Sequence, residues 1–229
     1  MLLPFALTGF HGLLLLIPAT RPFGIWLIGE NRPIELTTFV VLLLAAILSL
    51  RLAFRPWLAG TRWLAPPFYG LFGLGMFLIA MEEISWGQWF FGFSTPEEIR
   101  TANLQGEFNF HNLQGAHVLI EYMRLAFGLG GLIGIAAGYT ALLRPVAAPP
   151  ILLPWFGLIV LLSAADLILP ELNVPQGAVH LLNYLTETIE LLIGLAALIY
   201  IWLKYRDVRL DARYPDQPAA AGGSAGQNR

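Results

Sequence analysis

The chain contains no cysteine. Disulfides, thiolate-bound zinc, iron–sulfur clusters, c-type haem and thiol catalysis are therefore excluded. Charge is also scarce: 12% of the 229 residues are Asp, Glu, Lys or Arg, where a soluble domain carries about 25%. So little charge cannot coat a water-soluble globule of this size. Positive charge is in no excess, with 13 Lys+Arg against 15 Asp+Glu and a net charge of −2. The basic footprint of a nucleic-acid-binding protein is missing, and no nucleic-acid partner is expected. What the chain has is apolar length. Hydrophobic residues make up 57% of it, and the mean hydropathy is +0.66.

Six stretches are long and apolar enough to cross a bilayer, which takes about 20 residues each. They lie at 3–20, 34–54, 67–91, 115–143, 151–169 and 178–203. Prolines such as Pro18, Pro33, Pro66, Pro150, Pro170 and Pro175 stand at their ends, because proline has no N–H to continue a helix ladder. The first stretch lacks a basic leader and an A-x-A site, so it reads as a retained helix. The expected fold is all-α and polytopic, with six transmembrane helices in residues 1–206. The Gly/Ala/Pro-rich tail over 207–229 is expected to be disordered in the cytoplasm.

Charge sets the orientation. Arg51, Arg55, Arg62, Arg144, Lys204, Arg206 and Arg209 fall on the side of both termini, against Arg21, Arg32 and Arg100 opposite. Positive loops stay in the cytoplasm, so both termini are expected there. Trp57, Trp63, Trp155 and Trp202 read as an interfacial belt on the same side. The acids from Glu30 to Glu190 lie toward the other side.

Several of those acids fall inside spans. Glu82 and Glu83 sit about ten residues before the end of the third span, roughly 15 Å deep. In the sixth span His180, Asn183, Tyr184, Glu187, Glu190 and Gly194 share one face. In the fourth, His117, Glu121, Arg124, Gly128 and Gly131 share another, where Glu121 and Arg124 can pair three residues apart. Asp166 adds an acid from the fifth span. Glu82, Glu83, Glu121, Asp166, Glu187 and Glu190 are six acids facing one fixed cation, Arg124. Buried carboxylates in such excess take up protons or gather a cation.

The loop over 92–114 is expected to carry a short interfacial helix near 96–104, capped by Thr95, with Phe108 and Phe110 anchoring it. It brings His111 to the mouth of the site. His11, between Gly9 and Gly12, reads as a packing or hydrogen-bonding residue. Gly130, Gly134 and Gly138 repeat every four residues, a pattern for close helix approach within the chain or in a homo-oligomer.

At EEISWGQ (82–88) and NFHNLQGAH (109–117) the chain resembles uncharacterised bacterial multi-pass inner-membrane proteins that carry an EEISWGQ signature followed by an HN pair. That resemblance implies the compartment and no reaction. A partial similarity to CPBP-type intramembrane proteases rests on Glu82 and Glu83. Gly87 stands where their motif has Arg, and His180 and Asn183 are one residue too close.

The expected site is an outward cavity. Glu82, Glu83 and Glu187 are the catalytic candidates. His111, His117, His180 and Glu190 are the candidate ligands of a divalent metal, zinc or iron if histidines ligate. Glu121, Arg124, Asp166 and Asn183 support them. A carboxylate acting on a metal-bound water would make a membrane-embedded hydrolase of a lipid or membrane peptide. Two alternatives stay open: a proton or cation transporter, and a non-catalytic structural or assembly protein with the acids as helix buckles.

Overall fold

The computed structural model describes residues 2–55, 63–172 and 174–213. All regular elements among them are helical. They are α1 (Leu3–Leu16), α2 (Arg21–Leu27), α3 (Pro33–Ala53), α4 (Ala65–Glu83), α5 (Gln88–Phe91), α6 (Glu97–Ala102), α7 (Ala116–Ala137), α8 (Leu153–Ile168) and α9 (Gln176–Arg213). Five described helical segments are long and apolar enough to cross a membrane: Pro33–Ala53, Ala65–Glu83, Val118–Ala137, Pro150–Glu171 and Gln176–Arg209. These helices fit a multi-pass integral membrane protein.

The first expected span is not among the five. Its helix α1 has 14 residues, about 21 Å at 1.5 Å per residue, against a hydrocarbon core of roughly 30 Å. Beyond Pro18 the chain turns back. The Arg21 Nε donates to the Leu15 carbonyl (2.7 Å) and the Thr20 hydroxyl to that of Leu14 (3.0 Å). Gly24 of α2 then packs on Leu14 and Leu15. His11 is buried as expected, with Nδ1 2.6 Å from the Thr188 hydroxyl and Nε2 3.2 Å from the Gly24 carbonyl.

The long helices form an arc. α9 lies at its centre, flanked by α3 and α8; α4 packs on the far side of α3, and α7 on the far side of α8. α4 and α7 scarcely touch, so the arc is open between them. In lipid there is no hydrophobic drive between helices, and close packing over small residues decides which ones meet. A Cβ on Gly73 would lie 3.0 Å from Leu50, one on Gly194 2.6 Å from Val41, and one on Gly131 2.2 Å from the Phe156 ring. These three glycines set the α4–α3, α9–α3 and α7–α8 crossings.

The G-x-x-x-G series is used differently from expectation. Gly134 and Gly138 seat Ala148 and Ala147 of the chain's own following segment, and Gly130 has open space around it. The close approach of α7 to α8 falls instead on Gly128 and Gly131, on the face that also carries Arg124.

At one end of the bundle basic and aromatic residues interleave. The Arg55 guanidinium donates to the Tyr205 hydroxyl (3.2 Å), Arg209 lies over the Tyr205 ring, Arg206 lies over Trp202, and the Lys204 ammonium donates to the Arg144 carbonyl (3.3 Å). Trp155 departs from the expected belt: it is buried in the core, while Trp63 and Trp202 are exposed. Trp57 and Arg62 lie outside the described residues. α9 continues six residues past Asp207 to Arg213, and the rest of the tail is outside the described residues.

Candidate functional site

The other end is built around the point where α4 stops. The expected third span runs to 91, but the helix ends at Glu83. Ser85 (φ 46°), Trp86 (φ 55°) and Gly87 (φ 82°) are left-handed in succession, a conformation that costs a non-glycine residue about 1–2 kcal/mol. Glu82 and Glu83 are thus the last two residues of the helix and not residues deep within it. Carboxylates there face the negative end of the helix dipole, so they need donors or a cation.

Glu82 has donors. Its carboxylate accepts from the Trp86 indole N–H (2.6 Å) and from the backbone N–H groups of Phe110 (2.6 Å) and His111 (3.1 Å). The His111 Nδ1 lies 3.5 Å away. Burial disfavours the His111 imidazolium, but the Glu82 contact and the nearby charges of Glu190 and Glu35 outweigh it, and its pKa is raised above the usual imidazole value.

The rest of the loop is fastened to the same turn. The Ser85 hydroxyl donates to Glu107, and the Asn109 amide donates to Ser85 (2.9 Å). The Asn103 amide donates to Asn109 (2.8 Å). The Gln88 carbonyl oxygen accepts from the Phe108 N–H (2.8 Å), and its amide donates to the Thr95 hydroxyl (2.8 Å). The two sequence signatures, EEISWGQ and NFHN, therefore bind each other. Helix α6 occupies Glu97–Ala102 near the expected place, but its N-cap is Pro96; Thr95 is turned to Gln88 and caps nothing.

Glu83 faces the other way. Glu83, Glu187 and Glu190 each offer a carboxylate oxygen, and these oxygens lie within 4.8 Å of one another. Among the described residues no donor is hydrogen-bonded to any of the three carboxylates. Charges at that separation repel strongly unless a proton or cation sits among them. The nearest fixed cation is Arg124, with Nη1 4.0 Å from Glu190 and Nη2 3.5 Å from Asp166. The Asp166 contact ties α7 to α8.

Other expected members are elsewhere. Arg124 pairs with Asp166 and Glu190, not with Glu121. His180 is exposed and lines a separate pocket of about 330 Å³ with Arg21 and Tyr184. It shares a helix face with Glu187 but stands seven residues away, about 10 Å along the axis. Asn183 is exposed, and its backbone carbonyl accepts from the Thr186 hydroxyl. The side chain of His117 lies outside the described residues. Sequence reasoning passed over Glu35, Ser85 as a loop anchor, and Glu107. Glu35 stands in the first turn of α3 and accepts the Asn31 N–H, an ordinary place for an acid.

Two cavities meet at Glu83. One, of about 580 Å³, lies in the opening between α4 and α7, with Leu78, Leu119 and Met123 among its walls and Glu83, Glu190 and Arg124 at its polar end. Glu82 and His111 also reach it. The other, of about 200 Å³, is lined by Glu35, Glu83, Ser85 and Glu107. The chain matches no protein-family model, no curated protein and no solved structure.

Proposed function

We propose that this is a membrane-embedded hydrolase in which Glu83, Glu187 and Glu190 hold a divalent cation and act on a lipid at the gap between α4 and α7. The observation that carries the reading is the position of Glu83, which lines an apolar cavity on one side and a polar one on the other. A lipid approaches through the first and water through the second. An all-carboxylate donor set suits magnesium, calcium or manganese. The expectation of zinc or iron rested on histidines, and His180 stands apart while His111 serves Glu82. A bound divalent ion supplies a polarised water at neutral pH. Glu83 takes the proton of the attacking water, and the leaving alkoxide is protonated from His111 in the same cavity. Glu82 has its lone pairs engaged by the loop and is a positioning residue.

The compartment belongs to the same proposal: a bacterial inner membrane, with the end bearing Arg55, Arg144, Lys204 and Arg209 in the cytoplasm. Elemental analysis and calorimetric titration of the purified chain test the site. One magnesium, calcium or manganese ion per chain is expected, lost in Glu187→Gln. A chain that takes up no divalent ion at millimolar concentration would refute the reading.

A further inference from the structure

Arg124 is out of place as a merely structural ion pair. Its side chain is 10% exposed, and it lines the 580 Å³ cavity. Asp166 and Glu190 approach its Nη groups at 3.5 Å and 4.0 Å, yet Nε and Nη1 make no hydrogen bond. A buried guanidinium with unused donors is costly, and its planar fork matches the oxygens of a phosphate.

The walls say where such a phosphate comes from. Leu119 is 61% exposed, Met123 50% and Leu78 43%, although all three line the cavity. They border its side opening, where the arc of helices is unclosed and lipid surrounds the protein. The cavity volume lies within the ~300–1,000 Å³ range of small-molecule clefts. It has apolar surface along α4 and α7 and the Arg124 guanidinium in its lining, the arrangement an amphiphile needs. The site's acids are not an obstacle, since carboxylates so crowded are neutralised by a proton in the absence of metal, and a hard divalent cation, when bound, can be shared between carboxylates and a substrate phosphate.

From this geometry we infer that the cavity binds a phosphate-headed lipid, taken in sideways between α4 and α7, with its phosphate on Arg124 and its chain against Leu78, Leu119 and Met123. The inference names the substrate class for the hydrolytic reading above and rests on that reading for its catalytic meaning, but the binding itself can be tested alone.

The test uses the full chain in an uncharged maltoside detergent with chelator present. Phosphatidic acid is the probe, and complexes are counted by native mass spectrometry. A one-to-one complex is expected. Arg124→Gln and Leu119→Trp should each weaken it tenfold or more, and Arg124→Lys should recover part of the loss. Leu119 is exposed, so its variant reports on access even if the Arg124 variants fail to fold. Diacylglycerol binding as tightly as phosphatidic acid would overturn the proposal, as would full displacement by equimolar inorganic phosphate or an unaffected Leu119→Trp. The two readings fail separately: a chain that binds phosphatidic acid in chelator but takes up no divalent ion overturns the hydrolytic reading alone, and one that takes up the ion but binds no phosphatidic acid overturns this inference alone.

Discussion

Glu82 and Glu83 are neighbours in the chain and opposites in the structure. One looks into the loop and is met by an indole N–H and two backbone N–H groups. The other looks into the bundle and is met by two more carboxylates. Successive helix residues point about 100° apart, so one step along α4 separates a satisfied acid from an unsatisfied one. The contrast teaches that a buried carboxylate is not itself a sign of chemistry. Its donors decide. A satisfied acid holds a fold together, and an unsatisfied cluster is an invitation to a proton, a metal or a cationic group.

The largest expected effect comes from breaking the satisfied side. Glu82→Ala leaves three donors without their acceptor, the Trp86 and His111 N–H groups part-buried and the Phe110 N–H exposed, and a donor left unmet costs up to about 1–3 kcal/mol as it is buried. A loss near 3 kcal/mol or more is expected in thermal unfolding in detergent, together with proteolytic cutting between 92 and 114. Unchanged unfolding would show that the loop is held by other contacts.

Next comes the turn that makes the two acids diverge. Gly87→Val puts a β-branched residue at φ 82°, with the Phe91 ring 2.8 Å from the new Cβ. The expected penalty is about 2 kcal/mol, from left-handed strain plus crowding. A Gly87→Val chain as stable as the parent would mean that the left-handed turn is dispensable.

A smaller effect is expected from pH. The raised pKa of His111 means that its charged form is favoured in the folded loop. Its contribution is complete below the ordinary imidazole range near pH 6.5 and fades as pH rises through the higher folded value. Hydrogen exchange at Phe110 and His111 should therefore quicken, beyond its intrinsic base catalysis, as pH climbs through that window. His111→Gln should flatten the response. A response that survives the substitution would assign it to another group.

The smallest effect on stability is expected at the unsatisfied side. Glu83→Gln removes one of three mutually repelling carboxylates, so the apo protein should be unchanged or slightly more stable, by up to about 1 kcal/mol. The parent is expected to rise in melting temperature with magnesium, calcium or manganese, and the same substitution should abolish that rise. A destabilisation as large as that of Glu82→Ala would erase the contrast and favour the acids as helix buckles.

The legible part of the site was its chemistry and not its membership. That acids gather toward one end of the bundle could be read from Glu82, Glu83, Glu187 and Glu190 and the run of arginines opposite. Periodicity also placed His180 on the face of Glu187, correctly, but a shared face is not a shared level, and His180 ends in a pocket with Arg21. The expected Glu121–Arg124 pair failed for a similar reason. Spacing along a helix says which side chains could meet, while partners on α8 and α9 competed for the guanidinium and took it.

Composition and the long apolar runs pointed to a helical membrane protein, because so few charges cannot coat a globule and a helix satisfies its own backbone where there is no water. They also determined that acids without enough counter-charges would have to be accommodated. Only the folded chain decided which acids converge, that α1 stops short and turns back, and that α4 and α7 stand apart. Those outcomes depend on where glycines let helices touch and on where Ser85 and Trp86 leave the helical region, and neither is encoded in the periodicity of any single segment.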